Sequence, residues 1–175
     1  MKTTPVRLGR LAALLLLVGG ASALAAPPAA DCLARLQSLA GDWAGTVKEG
    51  DTAPTVRVTY RLVGNGSAVV EDLFPGTPHA MMTVYHLDGD RLVLTHYCAM
   101  KNQPHMMLDP ASTATEFIFT FAGGTNLTPG HGSYMDSGRI RFIDADTLDA
   151  EWRMLTDGKP VGTNRFYLKR VKPAP

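Results

Sequence analysis

The sequence is poor in cysteine, in net charge and in long apolar runs. Its 175 residues contain two cysteines and carry a formal net charge of +1. Because no long basic run is present, we expect no nucleic-acid partner. The chain also contains no CxxC or CxxCH motif, which argues against a dense zinc centre and against attached c-type haem. These absences leave the composition of a single, nearly neutral globular domain.

Residues 1–25 have the features of an export signal. Three basic residues precede a short apolar run at 11–18, and Ala23-Leu24-Ala25 matches an A-x-A cleavage site. The apolar run is shorter than the roughly 20 residues needed to span a bilayer. We therefore expect a bacterial periplasmic or secreted protein with no stable membrane insertion after cleavage.

The rest of the chain reads as a linker, one helix and many strands. Residues 26–30 form a Pro/Ala linker, and the domain spans 31–173. Leucines at helical spacing predict a helix over 31–40, capped by Asp31 and ended by Gly41. A first strand follows Gly41, and alternating β-branched and aromatic residues predict further strands. Those strands are 55–63, 68–74, 81–87, 92–98, 116–121, 138–143, 147–155 and 162–171.

Short turns join most of these strands, and no long crossover connection interrupts them. Consecutive hairpins of this kind indicate an all-β fold with antiparallel pairing. Closure into a barrel removes the exposed sheet edges that an open sheet would leave. We therefore predict a single antiparallel up-and-down β-barrel of about nine or ten strands with a short N-terminal helix.

The hairpin around residues 88–90 carries unusual side chains for a strand. Residues two apart on a strand share a face, so Leu94, His96 and Cys98 lie together. Pairing of the two strands puts Tyr85 on the same face. If this face points inward, an imidazole, a thiol and a phenol enter an apolar interior, where they would orient a ligand. The alternative is a core histidine with a backbone partner beside a cysteine that acts as a small hydrophobe.

Several segments resemble a known group of barrels. Residues 39–45 (LAGDWAG) resemble the Gly-x-Trp-x-Gly opening of lipocalin-like and nitrobindin-like barrels, in which the tryptophan closes one end. Residues 70–79, 85–90 and 95–98 resemble an uncharacterised bacterial family of exported lipocalin-like (calycin-type) proteins. The resemblance implies a β-barrel and no established activity. Many relatives carry a His-x-His triplet where this chain keeps only His131.

We expect the barrel to bind a small, largely apolar molecule and to need no cofactor. The candidate ligand-binding residues are Trp43, Tyr85, Leu94, His96, Cys98, Met106 and His131. Three alternatives remain at this point. They are a barrel enzyme of isomerase or cyclase type using His96 as acid–base, a haem- or metal-binding protein using His96 or His131, and a structural or partner-binding envelope protein.

Two further expectations concern cysteines and methionines. An even number of cysteines in an oxidising compartment suggests a Cys32–Cys98 disulfide, and the alternative is two independent thiols. Five methionines (Met81, Met82, Met100, Met106 and Met107) surround the hairpin block. They suit an adaptable pocket, plain core filling or a copper site. For Glu71 and Glu151 we expect surface or salt-bridged positions.

Overall fold

The computed structural model describes residues 26–48 and 53–172 of the chain. The predicted signal at 1–25 lies outside the described residues. One helix, α1, spans Ala29–Gln37 and is followed by ten strands. The strands are β1 Gly41–Lys48, β2 Thr55–Val63, β3 Ala68–Leu73, β4 Met81–Asp88, β5 Arg91–Tyr97, β6 Gln103–Leu108, β7 Glu116–Thr125, β8 Ser133–Phe142, β9 Thr147–Thr156 and β10 Lys159–Arg170. No helix within the described ranges is long and apolar enough to cross a membrane.

The strands close into a single barrel. Each strand pairs antiparallel with its neighbours in the sequence, and β10 returns to pair with β1. Along each strand, alternate side chains point into the barrel, and there they build one apolar core. The predicted all-β antiparallel barrel with a short N-terminal helix is confirmed.

Two boundaries differ from the sequence-based prediction. The helix begins at Ala29 with Pro28 at the N-cap position, so the predicted capping role of Asp31 is wrong. A proline fits there because its fixed φ suits the start of a helix and its missing N–H is not needed. Strand β6, which contains Pro104, is not among the strands predicted from the sequence. The structure accommodates Pro104 next to a bulge between His105 and Met106, where the ladder is already irregular.

The helix covers one end of the barrel, here called the helix end. Gln37 Nε2 donates to the carbonyl of Gly66 in the β2–β3 turn at 2.8 Å. The Arg35 guanidinium lies over the Phe142 ring, 4.6 Å from its centroid, next to the β8–β9 turn. The opposite end, here called the loop end, carries the connections β1–β2, β3–β4, β5–β6, β7–β8 and β9–β10.

Trp43 and Arg170 complete the helix end. Trp43 Nε1 donates to the carbonyl of Leu39 at 2.8 Å, and the Arg170 guanidinium stacks 4.5 Å above the indole. Arg170 also donates to the carbonyls of Ser38 and Ala40, at 2.8 and 2.9 Å. These carbonyls have lost their helical partners, so the arginine satisfies the end of α1 while it covers the tryptophan.

The predicted Cys32–Cys98 disulfide is wrong in this structure, because both thiols are free. Cys32 is buried in α1 at the helix end. Cys98 follows the last residue of β5, which begins at the helix end and runs for seven residues toward the loop end. A strand rises about 3.3 Å per residue, so the length of β5 separates the two cysteines. This separation is far larger than the roughly 7 Å between Cα atoms that a disulfide allows.

Candidate functional site

A row of polar side chains crosses the inside of four neighbouring strands. Tyr60, Glu71, Thr83 and His96 lie directly opposite one another on β2, β3, β4 and β5. All four are at most 3% exposed. Directly paired residues on one face of a sheet have Cβ atoms about 5 Å apart, which brings their polar groups within hydrogen-bonding reach. These four residues, together with Tyr85 two positions along β4, are called the polar row.

Glu71 occupies the centre of the polar row without a cationic partner. Its Oε1 accepts a hydrogen bond from the Tyr60 hydroxyl and its Oε2 from the Tyr85 hydroxyl, each at 2.7 Å. Burial raises the pKa of Glu71, and hydrogen bonds from Tyr60, Tyr85 and Thr83 offset part of the rise. Within the described ranges, no lysine or arginine forms an ion pair with this carboxyl.

The two glutamates singled out from the sequence lie on opposite faces of the barrel wall. Glu71 points inward, so the expectation of a surface or salt-bridged position is wrong for it. Glu151 lies on the outer face of β9 and forms an ion pair with Arg139, with Nη2 and Oε2 at 2.7 Å, as expected.

His96 ends the polar row with one nitrogen satisfied and one free. Its Nδ1 lies 2.9 Å from Thr83 Oγ1, and its Nε2 is buried without a partner. Burial lowers the pKa of His96 from its ordinary 6.5 to about 4, so the ring is neutral near pH 7. Because Thr83 lies directly opposite Glu71 and lowers the pKa of its carboxyl, as a hydroxyl donor does, we assign the ring proton of His96 to Nδ1, which then donates to Thr83 Oγ1. Nε2 then carries a free lone pair.

A small cavity adjoins His96 on the loop-end side of the polar row. Its volume is about 30 Å³, which is room for one or two water-sized atoms. Most of its wall is aromatic, aliphatic or thioether. The lining residues are Leu73, Phe74, Met81, Thr83, His96, Met135, Trp152, Asn164 and Phe166.

Two lining residues separate this cavity from open space. Asn164 also lines a cleft of about 630 Å³ at the rim of the barrel, where β10 extends beyond β1. Phe74 also lines an outer groove beside β1 and β2. Phe74 adopts φ +52°, a left-handed conformation that is uncommon and strained for an aromatic residue. The cavity is therefore one side chain away from solvent on two sides.

The structure distributes the predicted ligand-binding residues over the whole barrel. Tyr85 and His96 both belong to the polar row, but only His96 lines the cavity. Leu94 and Met106 are buried partners on β5 and β6, toward the helix end of His96. Trp43 closes the helix end.

Cys98 and His131 lie near the loop end, outside the cavity. Cys98 is half-buried just beyond β5. His131 is exposed in the β7–β8 connection and borders a separate open groove with Met100 and Asn102. The binding roles of these residues stay predictions.

Sequence reasoning missed several residues of this site. Glu71 had a usable signal, since it pairs with Thr83 on the neighbouring strand, whose register with His96 follows from the β4–β5 turn. Met135, Trp152 and Asn164 come from strands far along the chain, and no local register relates them to His96. Their meeting depends on closure of the whole barrel.

None of the protein-family models and none of the curated proteins matches this sequence. Solved structures do match its fold. One is the crystal structure of a protein of unknown function from the DUF3598 family of Nostoc punctiforme, with a TM-score of 0.52 and 14% sequence identity. The match covers 77% of this chain and 48% of that one, so this chain spans about half its length. At this identity the likeness shows the fold alone, and it agrees with a lipocalin-like barrel at the level of architecture.

Proposed function

We propose that the protein is an exported binding protein for a small, largely apolar molecule that docks against His96 at the loop end of the barrel. The observation that carries the proposal is the free Nε2 of His96 beside a cavity. A buried polar atom without a partner costs roughly 1–3 kcal/mol. A ligand with one hydrogen-bond donor would remove that cost, so the vacant nitrogen favours occupied protein over empty protein.

The shape of the space limits the ligand. The cavity admits only a compact group, such as a hydroxyl or a ring N–H. The rest of the molecule would extend past Asn164 into the rim cleft, where Met154 and Val161 offer apolar contacts. The proposed ligand is therefore a small apolar compound with a donor at one end, and a long acyl chain does not fit.

The surroundings of His96 favour binding over acid–base catalysis. A general acid or base works best with a pKa near the working pH, and the pKa of His96 is about 4. Glu71 is held by two tyrosine hydroxyls that remain protonated, because burial and the adjacent carboxylate raise their pKa values. No other histidine and no carboxylate borders the cavity within the described residues.

A matched pair of probes tests the proposal. Indole carries a donor, whereas 1-methylindole has a similar shape without one. Calorimetric titration should show indole binding about tenfold more tightly, which corresponds to one net hydrogen bond. His96→Leu should abolish the preference. His86→Leu, on the outer face of the neighbouring strand β4, should preserve it. Absence of binding, or an equal preference in His96→Leu, would overturn the proposal.

Export is tested separately. Expression of the full chain in a bacterium should yield periplasmic protein whose N-terminus is residue 26, as judged by mass spectrometry. Recovery from the cytoplasm with residues 1–25 attached would contradict this part of the proposal.

A further inference from the structure

We propose that the cavity beside His96 is also a binding site for a soft monovalent metal ion, Cu(I), with His96 Nε2 and the thioether sulfurs of Met81 and Met135 as ligands. This inference goes beyond the proposed function, because it requires no organic ligand. Since both occupants would use the same nitrogen, they would compete.

The donor set selects the ion. Met81 and Met135 line the cavity together with His96, and Met135 is 6% exposed. Thioethers and neutral imidazole are soft or borderline donors that favour Cu(I), whereas Mg²⁺ and Ca²⁺ require oxygen ligands. No carboxylate lines the cavity, and within the described ranges no three His, Cys, Asp or Glu residues cluster as a metal site. Hard cations and zinc therefore lack a suitable set here.

The polar row supplies the support that a metal-bound histidine needs. A histidine that binds a metal through one nitrogen usually donates its other N–H to a fixed acceptor, which holds the ring in the correct tautomer. Here Nδ1 meets the Thr83 hydroxyl at 2.9 Å, and Thr83 lies directly opposite Glu71, whose pKa it lowers. Thr83 is thus a positioning residue that keeps the lone pair of Nε2 directed away from the row.

Charge balance favours a single positive ion at this position. Glu71 is buried with two tyrosine hydroxyls and without an ion pair among the described residues. A buried carboxylate of this kind is costly unless a cation lies nearby. A monovalent ion on Nε2 would lie in the same row as Glu71, two strands away, and its positive charge would favour the ionised form of the Glu71 carboxyl. The indole of Trp152 also lines the cavity and would add a cation–π contact.

The cavity size suits an ion without its hydration shell. A volume of about 30 Å³ accommodates one ion bound directly by protein atoms. Asn164, which borders both the cavity and the rim cleft, marks the access route.

The test is an anaerobic titration of the purified protein with Cu(I) in competition with a chromogenic chelator. All variants are made in a Cys98→Ser background, so that the half-buried thiol does not bind the metal. The parent should bind one Cu(I) per chain. Met81→Leu and Met135→Leu should each weaken binding by about tenfold or more, because even an outer-shell partner is worth 10–100-fold at a metal site. Thr83→Val should weaken it by about tenfold.

Met82→Leu is the matched control. Met82 follows Met81 on β4, lies on the opposite face of that strand and does not line the cavity, so its replacement should leave Cu(I) affinity unchanged. Circular dichroism establishes that each variant is folded. As a second readout, adding Ag(I) to ¹⁵N-labelled protein should shift the Nε2 signal of His96 and leave that of His86 in place.

Failure of the parent to bind one equivalent of Cu(I) would overturn the proposal, as would unchanged affinity in a folded Met135→Leu variant. Indole binding without Cu(I) binding would remove this inference and keep the proposed function. Cu(I) binding without indole binding would support the metal site and overturn the proposed function.

Discussion

The two ends of the barrel are built by the same alternation of side chains and finished in opposite ways. At the helix end, Trp43 packs edge-on against Tyr60 at 6.2 Å, lies beneath Arg170 and donates its indole N–H to the carbonyl of Leu39. At the loop end, a cavity, a free imidazole nitrogen and a strained Phe74 lie together. The helix end gains stability from close packing, whereas the loop end contains a small cavity beside a polar atom. This contrast supports the proposal that a ligand binds at the loop end.

Removal of Trp43, which lies at the helix end, should lower the stability of the protein more than any other change proposed here. Trp43→Ala deletes a side chain that is 1% exposed and leaves Arg170 without its stacking partner. We expect the free energy of unfolding to fall by about 4 kcal/mol, as for large-to-small changes in cores. Chemical denaturation measures this. Tyr97→Ala, at a position 49% exposed, is the control and should change it by less than about 0.5 kcal/mol. A loss below about 1 kcal/mol for Trp43→Ala would mean that the helix end is not the stable end.

Low pH should reduce the free energy of unfolding, because His96 at the loop end is buried in its neutral form. The folded state lowers the pKa of His96 from 6.5 to about 4, so its stabilising contribution is complete above pH 6.5 and is lost as the pH falls toward 4. The loss amounts to about 3 kcal/mol at 1.36 kcal/mol per pKa unit. Glu71 acts in the opposite sense, because its raised pKa makes its contribution decline as the pH rises above its ordinary value of 4.5.

Comparison with His96→Leu isolates the histidine. Denaturation at pH 7 and pH 4 should show the parent losing about 3 kcal/mol more than His96→Leu over this interval. His86→Leu, on the outer face, should follow the parent. Identical pH dependence in the parent and in His96→Leu would show that the ring is not held neutral by burial.

A methyl group at Gly138 should disturb the loop end by a smaller amount. A Cβ added there would lie 2.0 Å from Trp152 Cζ3, so the indole would have to move, and this indole lines the cavity. We expect Gly138→Ala to cost about 2 kcal/mol through overpacking and to weaken ligand binding. Gly162→Ala is the control, because a Cβ there meets no atom within 4 Å. Equal stability of the two variants, measured by thermal unfolding, would show that Trp152 adapts freely.

The smallest effect is expected at an exposed ion pair. Arg91 and Asp88 meet at the β4–β5 turn, with both side chains more than half exposed. Arg91→Ala should change the free energy of unfolding by less than about 0.5 kcal/mol, because solvent and salt screen such pairs. Denaturation at low and high ionic strength checks this. A loss above about 1 kcal/mol would indicate that this exposed ion pair stabilises the helix end more than solvent screening allows.

The contrast also separates what the sequence could predict from what it could not. Alternation and turn residues predicted the barrel, and the β4–β5 register correctly placed Tyr85 and His96 on one inward face. Strand β6 is missing from the predicted strands, because a proline such as Pro104 is normally evidence against a strand. The predicted helix starts two residues too late and ends three residues too late, because Asp31 resembles a cap more than Pro28 does and Gly41 resembles a stop signal.

The opposite wall of the cavity was beyond local reasoning. Met135, Trp152 and Asn164 reach His96 only through closure of the ring. Three register shifts intervene along the chain, at His105/Met106 on β6, beside Met135 on β8 and at Pro160/Gly162 on β10. A one-residue shift exchanges the inward and outward faces of a strand. Counting along the chain could therefore not relate the faces of β8 and β10 to the face that carries His96.

The pairing of β1 with β10 has a consequence for biosynthesis. A nascent chain that lacks Lys159–Arg170 presents two unpaired edges, on β1 and on β9, because β10 is the neighbour of both. Unpaired edges are templates for intermolecular association. Addition of β10 closes the ring and pairs both edges, so we expect a chain that stops before this strand to aggregate more readily than the full chain.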